Sequence, residues 1–194
     1  MSKKHPDKID LDDQKVYKNI FHGGQWAGVF QFTEPGAQNF CSNVKPNSII
    51  DISAITSIFR PGPLSAQVDK NYVAAIRSPE NIKYLNDIHR EVTEETYGFL
   101  IFQEQIALLA HLLGKKLSLD EGNLLRKVLT KKGTGKGHEI KEGIYKKFSA
   151  GCIEKGMTQH ETDELWSSFE FFSGYGFNKS HAVSYSVLSY QCAW

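Results

Sequence analysis

Apolar side chains recur along this chain at the three-and-four spacing of helices, and several helix entrances carry their own polar signature. Ser48-Ile-Ile-Asp51, Ser118-Leu-Asp-Glu121 and Thr158-Gln-His-Glu161 each set a hydroxyl three residues ahead of an acid. In that spacing the hydroxyl accepts an orphan helix N–H while the acid complements the positive end of the helix. The pattern predicts helices over about 49–59, 119–131 and 159–173, the first stopped by Pro61-Gly62-Pro63 and the second near Gly133. Val68, Tyr72, Val73 and Ile76 phase another helix within 65–77, Ile106, Leu109 and Leu113 one over 105–113, and Ile140, Ile144, Phe148 and Cys152 one over 138–154. Asp12 is read as the N-cap of a helix over 14–21, and a last helix runs from Ala182 through Val183, Val187 and Leu188. That helix meets no stop signal before Trp194, so the fold is expected to continue past the chain. Ala27-Gly-Val-Phe-Gln-Phe32 and Gly98-Phe-Leu-Ile-Phe102 read as short strands. The expectation is a mainly α fold with short minor β-strands, as one domain or two small lobes, without internal repeats.

Composition adds few constraints. A chain of 194 residues that is 40% hydrophobic and 23% charged can bury a core. Its first residues, MSKKHPDKIDLDD, hold no apolar run and no later run approaches a bilayer span, so no membrane partner and a cytoplasmic location are expected. Cys41, Cys152 and Cys192 are odd in number and widely spaced, which indicates neither a disulfide framework nor a zinc site. The formal net charge of +1 conceals a concentration of ten Lys/Arg against four acids between Lys115 and Lys147. Such a stretch suits polyanions, although a solvated lysine-rich helix face is the commoner meaning of a charge run.

Several familiar constellations fail on chemistry. Asp10-Leu-Asp12-Asp13 could hold a divalent ion on a strand, but the following segment is helical and capping explains the acids. Gly133-Thr-Gly-Lys136-Gly137 lacks the first glycine and the Ser/Thr of a phosphate loop and follows a helix, so it reads as an interhelical loop. No H-E-x-x-H pair or G-x-S-x-G elbow is present. The basic helix is more specific: Lys127 and Lys131 share a face with Arg126 beside it, opposite Leu125, Val128 and Leu129, an arrangement suited to a triphosphate. Arg60, fixed where Pro61-Gly62-Pro63 ends a helix, is a second placed cation, and either could equally be a salt-bridge partner. In Gly174-Tyr-Gly-Phe-Asn-Lys-Ser-His181, the glycines permit tight turns, Tyr175 and Phe177 offer flat surfaces, and Asn178 or Ser180 can cap the next helix while facing an anion.

Taken in order, Gly28-Val-Phe-Gln31, Phe59-Arg-Pro-Gly-Pro-Leu64, Tyr97-Gly98 with Gln103-Glu-Gln105, Leu124-Leu-Arg-Lys127 with Lys131-Lys132, and Gly174 to His181 resemble the bacterial replicative DNA polymerases of family C, the alpha subunit of DNA polymerase III. The resemblance implies a helical fingers domain over 28–194, preceded by a connection, 1–27, from a palm that this chain lacks. It implies nucleotide-binding roles for Arg60, Arg126, Lys127, Tyr175, Asn178, Lys179, Ser180 and His181, and DNA contacts for Lys131, Lys132 and Lys136. Two Mg²⁺ ions are expected on the missing palm and not on this chain, whose P-D-x-D-x-D-F motif is absent. The implied partners are template-primer DNA, a deoxynucleoside triphosphate, a palm-bearing chain and replisome subunits. Lys127 stands where a second Arg is usual, exchanging a bidentate contact for a point charge, and Thr130 where Gly is usual. The rival expectation is a non-catalytic module that binds nucleic acid or a partner protein.

Overall fold

The computed structural model describes residues 5–130 and 135–194, and it divides into two compact units. One comprises the chain up to Pro79 together with Lys179–Trp194, and the other Glu80–Asn178. Helices account for nearly all regular structure: α1 (Gln14–Val16, continued by a wider π-helical turn Tyr17–His22), α2 (Pro35–Val44), α3 (Ile49–Ile58), α4 (Pro61–Ser65), α5 (Val68–Arg77), α6 (Asp87–Thr93), α7 (Gln103–Leu113), α8 (Leu119–Thr130), α9 (Gly135–Glu154), α10 (Gln159–Ser173) and α11 (Lys179–Ala193). No described helix is long and apolar enough to cross a membrane.

The three polar entrances do what their spacing requires. Ser48 Oγ accepts from Asp51 N at 3.1 Å, and Asp51 in turn accepts from Asn47 N at 2.9 Å. At α8, Ser118 and Glu121 bond reciprocally, N–H to side chain in each direction, at 2.9 and 3.2 Å. Thr158 and Glu161 repeat the arrangement at α10. Each pair satisfies donors that the first helical turn cannot bond internally. At α1 the cap is Asp13, not Asp12: its carboxylate accepts from Lys15 N, while Asp12 N is turned onto Asp10. The acid nearest the first helical residue takes the capping position because Asp12 is engaged in the preceding turn.

The expected strands do not form among the described residues. Between Ala27 and Phe32 the backbone makes successive tight turns, Val29 N to Trp26 O and Phe32 N to Val29 O, with positive φ at Gly28 and Gln31. These turns send Val29 and Phe32, three positions apart, inward without a sheet. The segment 98–102 pairs only through a single parallel bridge, Phe102 with Phe177. Gly98 N and Phe99 N donate to the carbonyls of Thr93 and Thr96, and the next donors are taken by a side chain: Gln105 Oε1 accepts from both Ile101 N and Phe102 N at 2.9 Å.

In the first unit, α3 is buried on nearly all sides, with Ile52, Ala54, Ile55 and Ile58 in the core beside Ser53 and Ser57. Small residues let α11 approach it closely: the hydroxyls of Ser53 and Ser186 meet at 3.0 Å, and each also lies within bonding distance of a carbonyl of its own helix. The pair runs antiparallel. Asn47, before α3, accepts from Gln14, while Tyr190, near the end of α11, packs on Tyr17 with its hydroxyl 2.9 Å from Asp10 O. Tyr17, Phe21, Phe32 and Tyr190 close this end, and burial pushes the Tyr190 phenol up to about 12.

The second unit surrounds an aliphatic and aromatic core of Ile106, Leu109, Leu113, Leu125, Phe148, Trp166 and Phe169. Two glycines set its spacing: a Cβ on Gly122 would lie 2.4 Å from Ala107 O, and one on Gly151 would lie 2.2 Å from Leu113 O. Gly143 on the same helix as Gly151 faces open space. His89 is buried at the third position of α6, its Nδ1 without a hydrogen-bond partner, and desolvation lowers its pKa.

Two outcomes follow. Gly151→Ala and Gly122→Ala should each lower stability by roughly 3 kcal/mol through backbone overlap, whereas Gly143→Ala should raise it by roughly 0.5–1 kcal/mol through helix propensity; urea denaturation separates them. Because the fold favours neutral His89, its contribution is full above the free-imidazole value near 6.5 and is lost as pH falls through the lowered folded value. The protection factors of α6 amides, corrected for the pH dependence of intrinsic exchange, should therefore fall below about pH 6.5 in the native chain and respond less to pH in His89→Phe.

Candidate functional site

In the Glu80–Asn178 unit, the entrance of α7 collects the sequence motifs. The glycine-aromatic stretch after α10 runs beside it: Gln103 N donates to Phe177 O at 2.9 Å, Phe177 N to Ile101 O at 3.0 Å, and Gln103 Nε2 to Gly176 O at 2.9 Å. A Cβ on Gly176 would approach Gln103 Cγ to 3.0 Å, so this glycine is needed for close contact and not for a left-handed turn. The opposite end of the same amide binds the basic helix, with Arg126 Nη1 donating to Gln103 Oε1 at 2.9 Å. Glu104 accepts from Asn178 Nδ2 at 2.9 Å. Arg126 and Asn178 are thus held through adjacent residues of one helix start.

The Gln103 contact orients the Arg126 guanidinium through a neutral oxygen, so the bond itself leaves the positive charge intact. Leu125 is buried, Arg126 half-buried and Lys127 exposed, which is the amphipathic order anticipated for this helix. Tyr175 is half-exposed and meets Phe171 edge-on at 5.4 Å. Lys136 is exposed in the first turn of α9, and Lys131, Lys132 and Gly133 lie outside the described residues. Part of the basic stretch is neutralised locally: Lys115 pairs with Glu154 at 3.2 Å, Lys147 with Glu121, and Lys141 with Glu170. The Lys147 bond is the largest influence holding the Glu121 carboxyl below its usual range.

In the other unit, Arg60 is the extended residue between α3 and α4. Its Nε donates to Ser57 O at 2.7 Å, and desolvation lowers its pKa. Lys179, Ser180 and His181 form the first turn of α11, so Ser180 lies inside the helix. His181 lies against Tyr185, ring centroids 4.2 Å apart. The antiparallel register around Ser53 and Ser186 brings Arg60 and Lys179 to the same end of the α3–α11 pair. Among the described residues no three His, Cys, Asp or Glu side chains gather as metal ligands, so no step is derived through a metal on this chain.

Gln103 and Glu104 are the functional candidates that sequence reasoning left without a role. They stood inside a recognised motif, but an uncharged amide gives no signal of the two long-range bonds it makes.

The geometry can be set beside known proteins. A family model described as the bacterial DNA polymerase III alpha subunit finger domain matches residues 2–156. Among curated relatives, the DNA polymerase III subunit alpha of Borreliella burgdorferi is 37% identical over 186 residues, covering 96% of this chain and 16% of that protein. The same subunit from Aquifex aeolicus is 34% identical over 187 residues, again 96% of this chain and 16% of the relative. That from Xylella fastidiosa is 33% identical over 186 residues, 96% of this chain and 15% of the relative. The chain therefore spans about a sixth of the length of these relatives. With the family model covering most of the chain, the chain belongs to the finger-domain family of the bacterial DNA polymerase III alpha subunit.

Proposed function

We propose that this chain serves as the fingers segment of a replicative DNA-directed DNA polymerase, binding the incoming deoxynucleoside triphosphate and the template-primer. The observation that carries this reading is Arg126, fixed on a rigid helix by Gln103 while Gln103 also holds the backbone of the glycine-aromatic stretch. A cation whose orientation is set before the ligand arrives loses little on binding and can meet charge as it develops on departing pyrophosphate. In this reading Arg126 and Lys127 contact phosphates. Arg60, Lys179, Ser180 and His181 also contribute to nucleotide binding, and Asn178 and Tyr175 position the nucleotide. Lys131, Lys132 and Lys136 meet the DNA backbone. Residues 1–27 lead in from a palm that carries the Mg²⁺-binding carboxylates, and the assembly works in the cytoplasm with other replisome subunits.

When two Mg²⁺ ions are bound on such a palm, they activate the primer 3′-hydroxyl and stabilise the leaving phosphate. The residues here neutralise and orient the triphosphate. Combined with a palm-bearing chain in primer extension, Arg126→Ala should reduce incorporation by about 10²–10³-fold, with Arg126→Lys intermediate because it loses the fork geometry. Unchanged incorporation in Arg126→Ala would refute the assignment. In a DNA-binding titration against salt, Lys136→Ala should lower the slope of log affinity by about one without altering sequence preference. A chain that binds DNA normally but supports no extension with any palm would favour the non-catalytic module instead.

A further inference from the structure

Between α6, residues 98–100 and α10 lies a cavity of about 280 Å³, wholly within the Glu80–Asn178 unit. Leu85, Phe99, Leu100, Leu165 and Phe172 make its walls largely apolar, and three polar side chains, His89, Ser168 and Glu164, interrupt them. The Glu164 side chain is 63% exposed and faces His160 at 3.5 Å, so it stands at the mouth. His89 is 7% exposed and belongs to the wall. Its backbone is held on both sides, N donating to Asn86 Oδ1 at 2.8 Å and O accepting from Thr93 Oγ1 at 2.6 Å, and Tyr84 lies against the ring with centroids 6.0 Å apart. A leucine at this position would complete the apolar wall, whereas the imidazole leaves Nδ1 sealed from water and unpartnered, a buried orphan that needs a reason. Only Nδ1 is sealed; Nε2 makes no hydrogen bond among the described residues and is the ring nitrogen reached from the cavity. A sealed N–H without an acceptor is rarer in folded proteins than a lone pair without a donor, and burial favours the neutral ring. The ring proton is therefore favoured on Nε2, where it is a donor toward the cavity. Ser168 Oγ donates its own proton to Leu165 O at 2.6 Å and so presents lone pairs.

We propose that this cavity binds a small neutral carboxamide carried on a single apolar ring, its carbonyl oxygen accepting from His89 Nε2 and its N–H donating to Ser168 Oγ. Charge and size choose this class. An anion would have to pass the Glu164 carboxylate, and a cation would meet the Nε2 proton at the inner wall; a neutral amide meets neither repulsion. Its two ends match one donor and one acceptor, and its ring replaces water against Leu85, Leu165 and Phe172. The volume lies just below the range of about 300–1,000 Å³ usual for larger ligands, which limits the body to one ring. None of these residues is among those assigned to the nucleotide or to DNA, so the inference stands or falls independently of that reading.

The test is titration of benzamide into the 194-residue chain, labelled at histidine nitrogens and leucine methyls and followed by NMR, with toluene, benzoate and N-acetylphenylalaninamide in parallel arms. Before any addition, two-bond proton–nitrogen spectra should show His89 protonated on Nε2. Benzamide should then shift that nitrogen and the methyls of Leu85 and Leu165 in a saturable way, more tightly than either toluene or benzoate. His89→Phe should weaken benzamide about tenfold and leave toluene unchanged. Ser168→Phe, which fills the cavity, should abolish both while circular dichroism stays native, and the native chain with His89→Phe decides the matter even if that variant does not fold. A proton found on Nδ1, absence of saturable shifts, or equal binding of toluene and benzamide would overturn the proposal by reducing the cavity to an apolar void. Benzoate binding as tightly as benzamide would overturn the choice of a neutral ligand, and shifts with N-acetylphenylalaninamide alone would overturn it in favour of a peptide.

Discussion

The side-chain amide of Gln105 is the interaction on which the Glu80–Asn178 unit turns. It is 3% exposed, and its oxygen accepts two backbone N–H groups, from Ile101 and Phe102, while its nitrogen donates to Val92 O and Thr96 Oγ1. Each of those groups would otherwise be a buried polar orphan, costing about 1–3 kcal/mol. One amide therefore substitutes for a missing neighbouring strand and joins the end of α6, the following turn and the start of α7. With that extended segment fixed, Ile101 O is available to Phe177 N, and the glycine-aromatic stretch has a place to dock.

Two residues earlier on the same helix start, Gln103 converts this structural anchor into a feature with chemical consequences. The helix entrance is immobilised by Gln105, so the two ends of the Gln103 amide hold Gly176 and Arg126 in a fixed relation. Glu104 does the same for Asn178. Three consecutive residues thus divide the work: one closes the core, one aims a cation and one holds an amide. The first unit handles its polar groups differently. There α3 and α11 approach through serines whose hydroxyls bond to their own helices and to each other, so tight packing leaves no polar group stranded.

Much of this was legible in the sequence wherever a local rule operated. The three hydroxyl-acid entrances gave helix starts at Ile49, Leu119 and Gln159 without error, because capping is decided within four residues. Helices α2, α4 and α6 escaped notice: α2 and α4 open with Pro-Gly, a pair that reads as a turn, and α6 has only 7 residues. The two strand expectations failed for different reasons. Residues 27–32 bury Val29 and Phe32 through turns, a spacing of three and not the alternation of a strand, and the end of 98–102 is bonded by a glutamine in place of a sheet. For the candidate site, ordered motifs singled out the cations and the Asn178 to His181 segment as candidates. The partner of Arg126 lies 23 positions away and is uncharged, and the contact of Phe30 with Tyr185 joins segments some 150 residues apart. Spacing rules do not reach contacts of that kind.

The first unit is discontinuous in the chain, its opening 79 residues being completed by Lys179–Trp194, with the whole of the second unit between them. During synthesis, α3 leaves the ribosome 130 residues, counted start to start, before the helix that covers it. At ordinary elongation speeds, that delay is on the order of 6–26 s. The contiguous second unit can assemble in the interval, while Ile52, Ser53 and their neighbours remain open to water and to chaperones until α11 arrives. Vectorial translation thus gives the intervening helices precedence over the packing of α11 on α3.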